Sequence, residues 1–274
     1  MGKIWFITGS SRGLGLALVK AVLASGDSVA ATARNGEHLK HVVQEYGPER
    51  MLALSLDVTN NDQIEKAIEA ARAKFGRIDV VVNNAGYAKT SSIEDMSRDS
   101  FTAQMDTNFF GVVNVTKAAL PVLRQQGSGH ILQVSSVGGR VGSPGLGAYQ
   151  SAKWAVGGFS TVLAHEVAPL GIKVTVLEPG GIKTDWAGSS MGHGPVSEPY
   201  EQTVGATSRM REQVSANWSS PDDIARAIVH VANVDDPPLR LLLGPDTIQH
   251  ARMAADQLAA SDLKWEEVTK LSFR

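Results

Sequence analysis

The stretch that decides the fold is the first one, Lys3–Gly26, KIWFITGSSRGLGLALVKAVLASG. It contains a short apolar run, Lys3–Thr8, then a turn with glycines at 9, 13 and 15, and then the apolar pattern Gly15–Gly26. This order predicts a buried strand, a glycine-rich turn and a helix. Glycines let such a turn approach a pyrophosphate closely, and the helix start presents its amides to the anion. The spacing is not G-x-G-x-x-G, so the turn alone does not establish a dinucleotide site.

Short apolar runs and longer helical patterns then alternate along the chain. The further predicted strands are Ser28–Ala33, Met51–Val58, Ile78–Gly86, His130–Ser136, Lys173–Gly180 and Leu239–Gly244. The predicted helices lie at about Gly36–Tyr46, Asn61–Phe75, Phe101–Arg124, Ala148–Leu170 and Pro221–Asn233. This alternation predicts an α/β, Rossmann-like doubly wound fold of three layers. Its parallel sheet has seven strands, with a ligand crevice at their carboxyl ends.

Two segments depart from the alternation. From Thr184 to Asn217 the sequence is polar and rich in Gly, Ser and Met, which indicates either a disordered loop or a lid. Its position beside the expected crevice favours a lid inserted at about 184–217. From Asp246 to Arg274 the pattern predicts one or two amphipathic helices as a C-terminal tail. No linker or repeat divides the 274 residues, so we expect one dinucleotide-binding and catalytic domain over 1–274.

Composition excludes several classes of function. The 26 basic and 28 acidic side chains give a net charge of −2, which provides no footprint for nucleic acid or an acidic membrane. The chain has no cysteine, so disulfides, zinc-thiolate sites and thiol catalysis are excluded, and its seven histidines show no metal-ligand spacing. No apolar run approaches ~20 residues and the start lacks a secretory pattern, so we expect a soluble cytoplasmic protein.

The end of the second predicted strand indicates the preferred cofactor. Sites for NAD place an acidic residue near this point, where it accepts hydrogen bonds from the ribose 2′-hydroxyl. Here Ala33 is followed by Arg34, and Arg12 lies inside the glycine turn. Guanidinium groups suit a 2′-phosphate, which accepts charge-assisted bonds. The sequence therefore favours NADP(H) over NAD(H).

A further motif places a phenol beside an ammonium. In Gly147–Phe159, GAYQSAKWAVGGF, Tyr149 and Lys153 occupy positions i and i+4 and share one helix face. Taken alone, the pair is typical of an amphipathic helix whose polar tips reach water. The pair does not stand alone, because further motifs occur around it: TGSSRGLG (Thr8–Gly15), NNAG (Asn83–Gly86), Asn108, Ser135–Ser136, YQSAK (Tyr149–Lys153) and PGGIKT (Pro179–Thr184).

In this order and spacing the motifs resemble the short-chain dehydrogenase/reductase family, in its shorter single-domain branch. The resemblance covers Lys3–Thr184 tightly and the remainder loosely. It implies that Tyr149 is the general acid that protonates the carbonyl oxygen, and the base in the reverse direction. Lys153 would lower the pKa of that phenol and bind the nicotinamide ribose, and Ser136 would hold the substrate oxygen. Asn108 would anchor a water that links Lys153 to solvent.

The same resemblance assigns residues to the cofactor. Asp57 would accept from the adenine amino group with Val58 beside the ring, and the nicotinamide would lie against the segment from Pro179 to Thr184. The full set of implied cofactor contacts is Gly9, Ser11, Arg12, Gly13, Leu14, Gly15, Arg34, Asp57, Val58, Asn83, Ala85, Gly86, Tyr149, Lys153, Pro179, Gly180, Ile182 and Thr184.

The C-terminal segment departs from the family pattern. Many members follow the last strand with a glycine-rich segment that packs a tetramer interface, whereas here LRLLLGPDTIQHARMAADQ continues into helical sequence. This difference puts the tetramer in doubt and leaves a homodimer or a monomer. A homodimer would pair through the helices Phe101–Arg124 and Ala148–Leu170.

We therefore expect an NADP(H)-dependent carbonyl reductase or alcohol dehydrogenase that interconverts a ketone or aldehyde and an alcohol. The alternatives are an NAD-dependent dehydrogenase acting on a polar alcohol, an epimerase or dehydratase, and a catalytically silent NADP(H)-binding sensor or scaffold. We expect a bulky, largely apolar substrate. Its pocket would be lined by Gly138–Leu146, by residues 87–93 and by the lid, whose apolar candidates are Trp186, Met191, Tyr200 and Met210, with Trp218 just beyond. His193 and Arg209 could contact a polar substrate group but are not expected to be catalytic.

Overall fold

The computed structural model describes residues 2–184, 191–214 and 218–272. Seven parallel strands form one sheet in the order β3-β2-β1-β4-β6-β7-β9, which confirms the predicted doubly wound fold. Their bounds are β1 Ile4–Ile7, β2 Ser28–Ala33, β3 Met51–Ser55, β4 Val80–Asn83, β6 Gly129–Val134, β7 Ile172–Pro179 and β9 Arg240–Leu243. The chain crosses from one half of the sheet to the other on its way from β3 to β4, so the switch point lies between the neighbouring strands β1 and β4. At such a switch point the loops diverge and leave a crevice.

Helices cover both faces of the sheet. Their bounds are α1 Gly13–Ala24, α2 Lys40–Tyr46, α3 Asn61–Phe75, α4 Arg98–Met105, α5 Gly111–Gln126, α6 Gly147–Val167, α7 Ala206–Val214, α8 Pro221–Val231, α9 Pro245–Lys264 and α10 Glu266–Leu271. One core joins Leu18 of α1 and Ile228 of α8 to the sheet. The opposite core joins Ile64 of α3, Ala119 of α5 and Leu163 of α6. The tail is the predicted pair of helices, α9 and α10.

One predicted helix is interrupted. The segment expected to be a single helix over Phe101–Arg124 contains α4, a π-helical turn at Asp106–Phe110, and α5. Asn108 lies in this turn, and its Nδ2 donates to the carbonyl oxygen of Gln104 at 2.8 Å and to that of Tyr87 at 2.9 Å. The side chain thus links the turn to the preceding helix and to the segment that follows β4. The sequence pattern could not predict this interruption, because it shows which residues are apolar and not where the backbone hydrogen bonding changes from α-helical to π-helical.

A second, two-stranded sheet was not predicted. Strand β5, Ala88–Thr90, pairs in parallel with β8, Met191–His193. Three-residue strands are too short to show a period of two, so no pattern marked them. The pairing joins part of the predicted lid to the segment that follows β4. Within the described residues, none of the helices is long and apolar enough to cross a membrane.

Candidate active site

A cleft of about 1650 Å³ opens at the carboxyl ends of the parallel strands. It is lined by the glycine turn after β1, the ends of β2, β4, β6 and β7, and the first turns of α6. All of the predicted catalytic and cofactor residues line this cleft except Asn83. The sequence motifs are far apart in the chain, and the parallel sheet brings them to one edge.

Asn83 points away from the cleft. It is 2% exposed, and its Nδ2 donates to Gln133 Oε1 at 2.8 Å and to Thr116 Oγ1 at 3.0 Å. The neighbouring Asn84 lines the cleft instead, and its Nδ2 donates to the carbonyl oxygens of Thr8 and Gly9 at 2.9 and 3.0 Å. Successive side chains of a strand alternate between faces, so only one of these two asparagines can face the crevice. Asn84 fixes the glycine turn to the end of β4.

The glycine turn forms an anion-binding start for α1. Gly9 has φ +69°, and a Cβ on Gly15 would overlap the carbonyl oxygen of Gly9, so both positions require glycine. The first turn of α1 carries no acidic residue, and the side chain of Arg12 at the N-cap makes no capping bond to it. The amides at this helix start are therefore available to an anion. Gly13 faces Thr184, whose Cβ is 3.5 Å from the position that a Cβ on Gly13 would take, so the two residues flank the same space. A pyrophosphate fits these residues.

The end of β2 carries a basic residue and no acidic one. Arg34 follows the last residue of the strand, Ala33, and both line the cleft. The next side chain, Asn35, accepts a bond from the amide of Glu37 at 3.0 Å and so starts the following helical turn. Arg12 lines the cleft from the glycine turn, and both guanidinium groups are on exposed residues. The arrangement places positive charge where a dinucleotide would carry its adenosine ribose.

Burial dominates the chemistry of Tyr149 and Lys153. Both side chains project from α6 toward β6, are 8% and 4% exposed, and meet with Lys153 Nζ 5.6 Å from the ring centroid of Tyr149. Burial raises the pKa of Tyr149 to about 12, opposed by its hydrogen bond with Ser136. Burial also lowers the pKa of Lys153 to about 8. The net shift of the Tyr149 pKa is therefore upward, because loss of hydration favours the neutral phenol. That Lys153 lowers this pKa stays a prediction.

Backbone contacts hold this pair in place. Lys153 Nζ donates to the carbonyl oxygen of Val134 at 2.7 Å, and Ser135 Oγ donates to the carbonyl oxygen of Lys153 at 3.1 Å. Ser136 Oγ accepts from the amide of Gly138 at 3.0 Å and donates to the carbonyl oxygen of Pro179 at 3.4 Å. These bonds tie α6 and the loop after β6 to the strand ends. Tyr149 and Ser136 therefore present their hydroxyls together on the cleft wall.

Asn108 reaches the same place from the π-helical turn. Besides its two donated bonds, its Oδ1 accepts from the amide of Tyr87 at 3.0 Å. A Cβ on Gly86 would lie 2.6 Å from Asn108 Oδ1 and 3.7 Å from Lys153 Nζ, so the three residues converge and only glycine fits between them. Asn108 makes its bonds to backbone groups. The geometry gives it a positioning role for the segment Gly86–Tyr87 beside Lys153.

The remaining predicted cofactor residues line the two ends of the cleft. Asp57 Oδ1 accepts from the amide and hydroxyl of Thr59 at 2.9 and 2.8 Å, and Val58 packs against Gly111. At the other end, the amide of Gly180 donates to the carbonyl oxygen of Leu243 at 3.0 Å. Ile182 forms an isolated parallel bridge with Ser219. These backbone bonds fix the loop after β7 in place, where it forms one wall of the cleft.

The predicted substrate wall is correct in part. The loop after β6 lines the cleft, as do Met210 and Trp218, but of residues 87–93 only Tyr87, Ala88 and Lys89 do so. Four of the named side chains face elsewhere. Met191 is buried against Tyr149, and the hydroxyl of Tyr200 donates to Glu94 at 2.6 Å. His193 forms a hydrogen bond with Thr90, and Arg209 forms an ion pair with Glu201. Trp186 lies outside the described residues. His193 and Arg209 are therefore not positioned to contact a substrate in the cleft.

Sequence reasoning missed the contribution of α9. One face of this helix lines the cleft through Asp246, His250, Met253, Ala254, Gln257 and Leu258. These positions follow the spacing i, i+4, i+7, i+8, i+11 and i+12 of a single helical stripe. The sequence feature that could have predicted this role is the position of the segment, directly after the last strand at the ligand edge of the sheet. Among the residues that the structure describes, no cluster of metal-ligating side chains is found.

Comparison with known proteins decides the family. The family described as short chain dehydrogenase matches residues 3–192. The chain belongs to this family. This short-chain dehydrogenase/reductase is 59% identical over 273 residues to "Oxidoreductase BOA17" of Botryotinia fuckeliana, covering 99% of the chain and 100% of that protein. It is an oxidoreductase by that membership, and its family uses a nicotinamide cofactor and small-molecule substrates.

Two solved structures show the likeness of the fold. A short-chain dehydrogenase from Streptomyces avermitilis aligns with a TM-score of 0.93 and 35% identity, covering 100% of both chains. An alcohol dehydrogenase from Thermococcus sibiricus, complexed with 5-hydroxy-NADP, aligns with a TM-score of 0.74 and 28% identity over 89% of this chain and 96% of its own. The first alignment extends over the whole tail, so a C-terminal segment of this length occurs in a second member of the family.

Proposed function

We propose that this short-chain dehydrogenase/reductase is an NADP(H)-dependent oxidoreductase that interconverts a ketone or aldehyde and an alcohol. The observation that carries the proposal is the buried pair of Tyr149 and Lys153, with the half-buried Ser136 beside it, on the wall of the cleft. A phenol and an ammonium are expensive to bury, and a buried ionisable pair in a cleft is typical of a catalytic site. A silent cofactor-binding protein would not need to maintain them.

The protein supplies proton transfer and orientation. A bound nicotinamide cofactor would supply the hydride during reduction and accept it during oxidation. The hydroxyl of Ser136 would hold the carbonyl oxygen of the substrate, and the hydroxyl of Tyr149 would donate its proton to that oxygen. Because burial raises its pKa to about 12, the phenol is protonated at neutral pH and holds the proton that reduction requires. In the reverse direction the positive charge of Lys153 would stabilise the phenolate.

Residues outside this group support the choice of NADP(H). Arg34 occupies the end of β2, and Arg12 faces the cleft from the glycine turn. A 2′-phosphate would accept charge-assisted bonds from these guanidinium groups, and β2 ends without a carboxylate to bind a free ribose hydroxyl. The Thermococcus sibiricus enzyme, which is 28% identical, is complexed with an NADP derivative. Asp57 and Val58 would contact adenine, and Pro179, Gly180, Ile182 and Thr184 would flank the nicotinamide.

Tyr149→Phe tests the assigned reaction. The substitution removes the transferable proton and leaves the ring, so reduction of any accepted ketone should fall by about 100-fold or more. The Kd of NADPH, measured by fluorescence titration, should change by less than about threefold, because the hydroxyl is used in chemistry and not in docking the nucleotide. NADPH oxidation across aliphatic, aromatic and steroid ketones provides the assay. Equal loss of turnover and of NADPH binding would show that Tyr149 serves the binding site and not proton transfer.

A further inference from the structure

The outer part of the cleft has a cation that the proposed chemistry does not use. Arg211 lies on α7, lines the cleft and is half-buried. Within the described ranges of the chain it has neither an ion pair nor a hydrogen bond, and burial alone lowers the pKa of its guanidinium. An arginine keeps its charge at any physiological pH. The cleft therefore contains a permanent, partly dehydrated positive charge.

The other arginines near this region are paired. Arg209, two residues earlier on α7, bonds Glu201 at 3.1 Å. Arg140 and Arg240 both bond Glu178, which is fully buried. Leaving a guanidinium dehydrated without a partner is unfavourable, because lost hydration is not replaced by an acceptor. Of these four arginines, Arg211 alone lines the cleft with no acceptor among the described residues, which is the arrangement expected of a residue whose partner is a ligand.

The position of α7 places Arg211 on the substrate side. Val204, just before the helix, packs against Gly145 in the loop after β6, where a Cβ on the glycine would lie 3.0 Å from Val204 Cγ1. That loop begins at Ser136 and belongs to the wall around the reacting hydroxyls. The arginines assigned to the cofactor lie at the ends of β1 and β2. Arg211 thus enters the cleft from a different element from Arg12 and Arg34.

The cleft wall formed by α7 and α9 is partly apolar, since α9 also contributes Asp246, His250 and Gln257. Met210 lines the cleft beside it on α7, and Met253, Ala254 and Leu258 line the cleft from α9. Met253 and Leu258 are 51% and 63% exposed, so they have free apolar surface to offer. The carboxylate of Asp246 accepts from the amide of Gly181 at 3.4 Å and does not pair with Arg211. A partly apolar wall beside a cation with no acceptor among the described residues matches a ligand that has a hydrocarbon chain and one anionic end.

We propose that Arg211 binds an anionic group, carboxylate or phosphate, of an amphipathic oxo substrate whose chain lies along the apolar face of α9. This rests on the proposed reductase function and names the class of its substrate. Arg211 would act as a specificity-determining residue far from the reacting carbonyl. It should lower KM for an anionic substrate and leave kcat nearly unchanged, because its bond is equally strong in the ground and transition states.

The test compares ketones that differ only in charge. Oxodecanoates with the keto group near, midway along or far from the carboxylate are assayed with NADPH, each beside its methyl ester. Wild type should prefer at least one acid over its ester by roughly 10- to 100-fold in kcat/KM. Arg211→Gln should remove that preference by raising KM, and Arg211→Lys should restore part of it. Arg209→Gln is the matched control, because it removes a charge from the same helix outside the cleft.

Three outcomes separate the explanations. Equal turnover of acids and esters by wild type would overturn the proposal while leaving the reductase function intact. A weaker NADPH Kd in Arg211→Gln, with no change in acid preference, would also overturn it, because the anion would then belong to the cofactor. If no ketone is reduced, the reductase function fails by itself, and calorimetric titration then tests the binding proposal. Oxodecanoate must bind wild type in the presence of NADP⁺ and must bind Arg211→Gln more weakly; otherwise the binding proposal also fails.

Discussion

Individual residues in the cleft have properties that the sequence could not supply. The motif placed Tyr149 and Lys153 on one helix face, and the fold decided that both would be almost completely buried. Burial disfavours the charged form of each group, which raises the pKa of the phenol and lowers that of the ammonium. The two groups therefore depart from their ordinary values in opposite directions. The motif predicted which two side chains would meet, and the environment set their pKa values.

At the end of β2, Arg34→Ala should weaken NADPH binding far more than NADH binding. The variant loses the cation that is expected to bind the 2′-phosphate. Loss of one charge-assisted bond should raise the Kd of NADPH by roughly 10- to 100-fold. The effect is measured by thermal shift, since a ligand that binds only the folded state raises its stability by mass action. The NADPH-induced rise in Tm should shrink in the variant while the NADH-induced rise stays constant. Equal shrinkage for both nucleotides would contradict recognition of the phosphate by Arg34.

His130 makes stability depend on acidic pH. It is 4% exposed on β6, its Nε2 lies 2.9 Å from Thr175 Oγ1, and burial lowers its pKa to about 4, helped by the charges of Lys173 and Lys3. Between about pH 6.5 and 4 the unfolded chain binds a proton that the folded chain does not. The contribution to stability is therefore complete above pH 6.5 and is lost as pH falls toward 4. The slope reaches about 1.4 kcal/mol per pH unit.

Urea unfolding of wild type and of His130→Gln at several pH values between 7 and 4 measures this contribution. Glutamine can keep a bond to Thr175 and does not titrate, so the variant should lose less stability than wild type over the same window. Parallel pH dependence in the two proteins would show that His130 is not the responsible group.

At the scale of elements, interruptions and close contacts matter more than the pattern of apolar residues. The π-helical turn at Asp106–Phe110 turns Asn108 toward Tyr87 and Lys153, whereas a regular helix would direct it differently. Helix α6 approaches β7 and β9 so closely that a Cβ on Gly157 would lie 2.6 Å from Arg240 Nη2. Arg240 in turn bonds the fully buried Glu178 at 3.0 Å. Each of these features depends on a neighbouring element and none on local propensity.

Adjacent glycines of α6 give a matched test of this packing. Gly158 has open space where a Cβ would be placed, so Gly158→Ala should stabilise the protein by about 0.5–1 kcal/mol through helix propensity. Gly157→Ala makes the same propensity gain but displaces Arg240 from Glu178, leaving a buried charge poorly paired. It should be less stable than Gly158→Ala by about 1–3 kcal/mol. Denaturant unfolding at matched oligomeric state measures both, and equal stabilities would show that Arg240 relaxes freely.

At the scale of the whole molecule, the strand order brings distant motifs together at the cleft. The exposed helix surfaces determine how two protein chains could associate. Phe110, Trp154 and Val162 are 48%, 53% and 58% exposed, and the last two share one face of α6 at i and i+8. Exposed apolar side chains grouped on a surface are typical of an interaction site. They support the homodimer that the family resemblance implies for these helices.

Sedimentation velocity tests this assembly. Wild type should sediment as a dimer, and Trp154→Glu should shift it toward monomer by placing a charge in the buried interface. Leu263→Glu is the control, because Leu263 is 74% exposed on α9 and lies outside the proposed interface. A monomeric wild type, or dissociation by Leu263→Glu alone, would rule out pairing through α6.

By itself the sequence determined the fold class, the seven parallel strands and the family, and it predicted which side chains line the cleft. These are encoded locally, in apolar periodicity, in glycines that the turn requires, and in motifs of a few residues. Only the tertiary structure decided that Asn83 faces the core and Asn84 the cleft, that β5 pairs with β8, and that α9 and Arg211 form the outer wall. These features arise between segments far apart in the chain. Burial, charge pairing and shape at such contacts depend on which surfaces the fold brings together, and no local pattern records that.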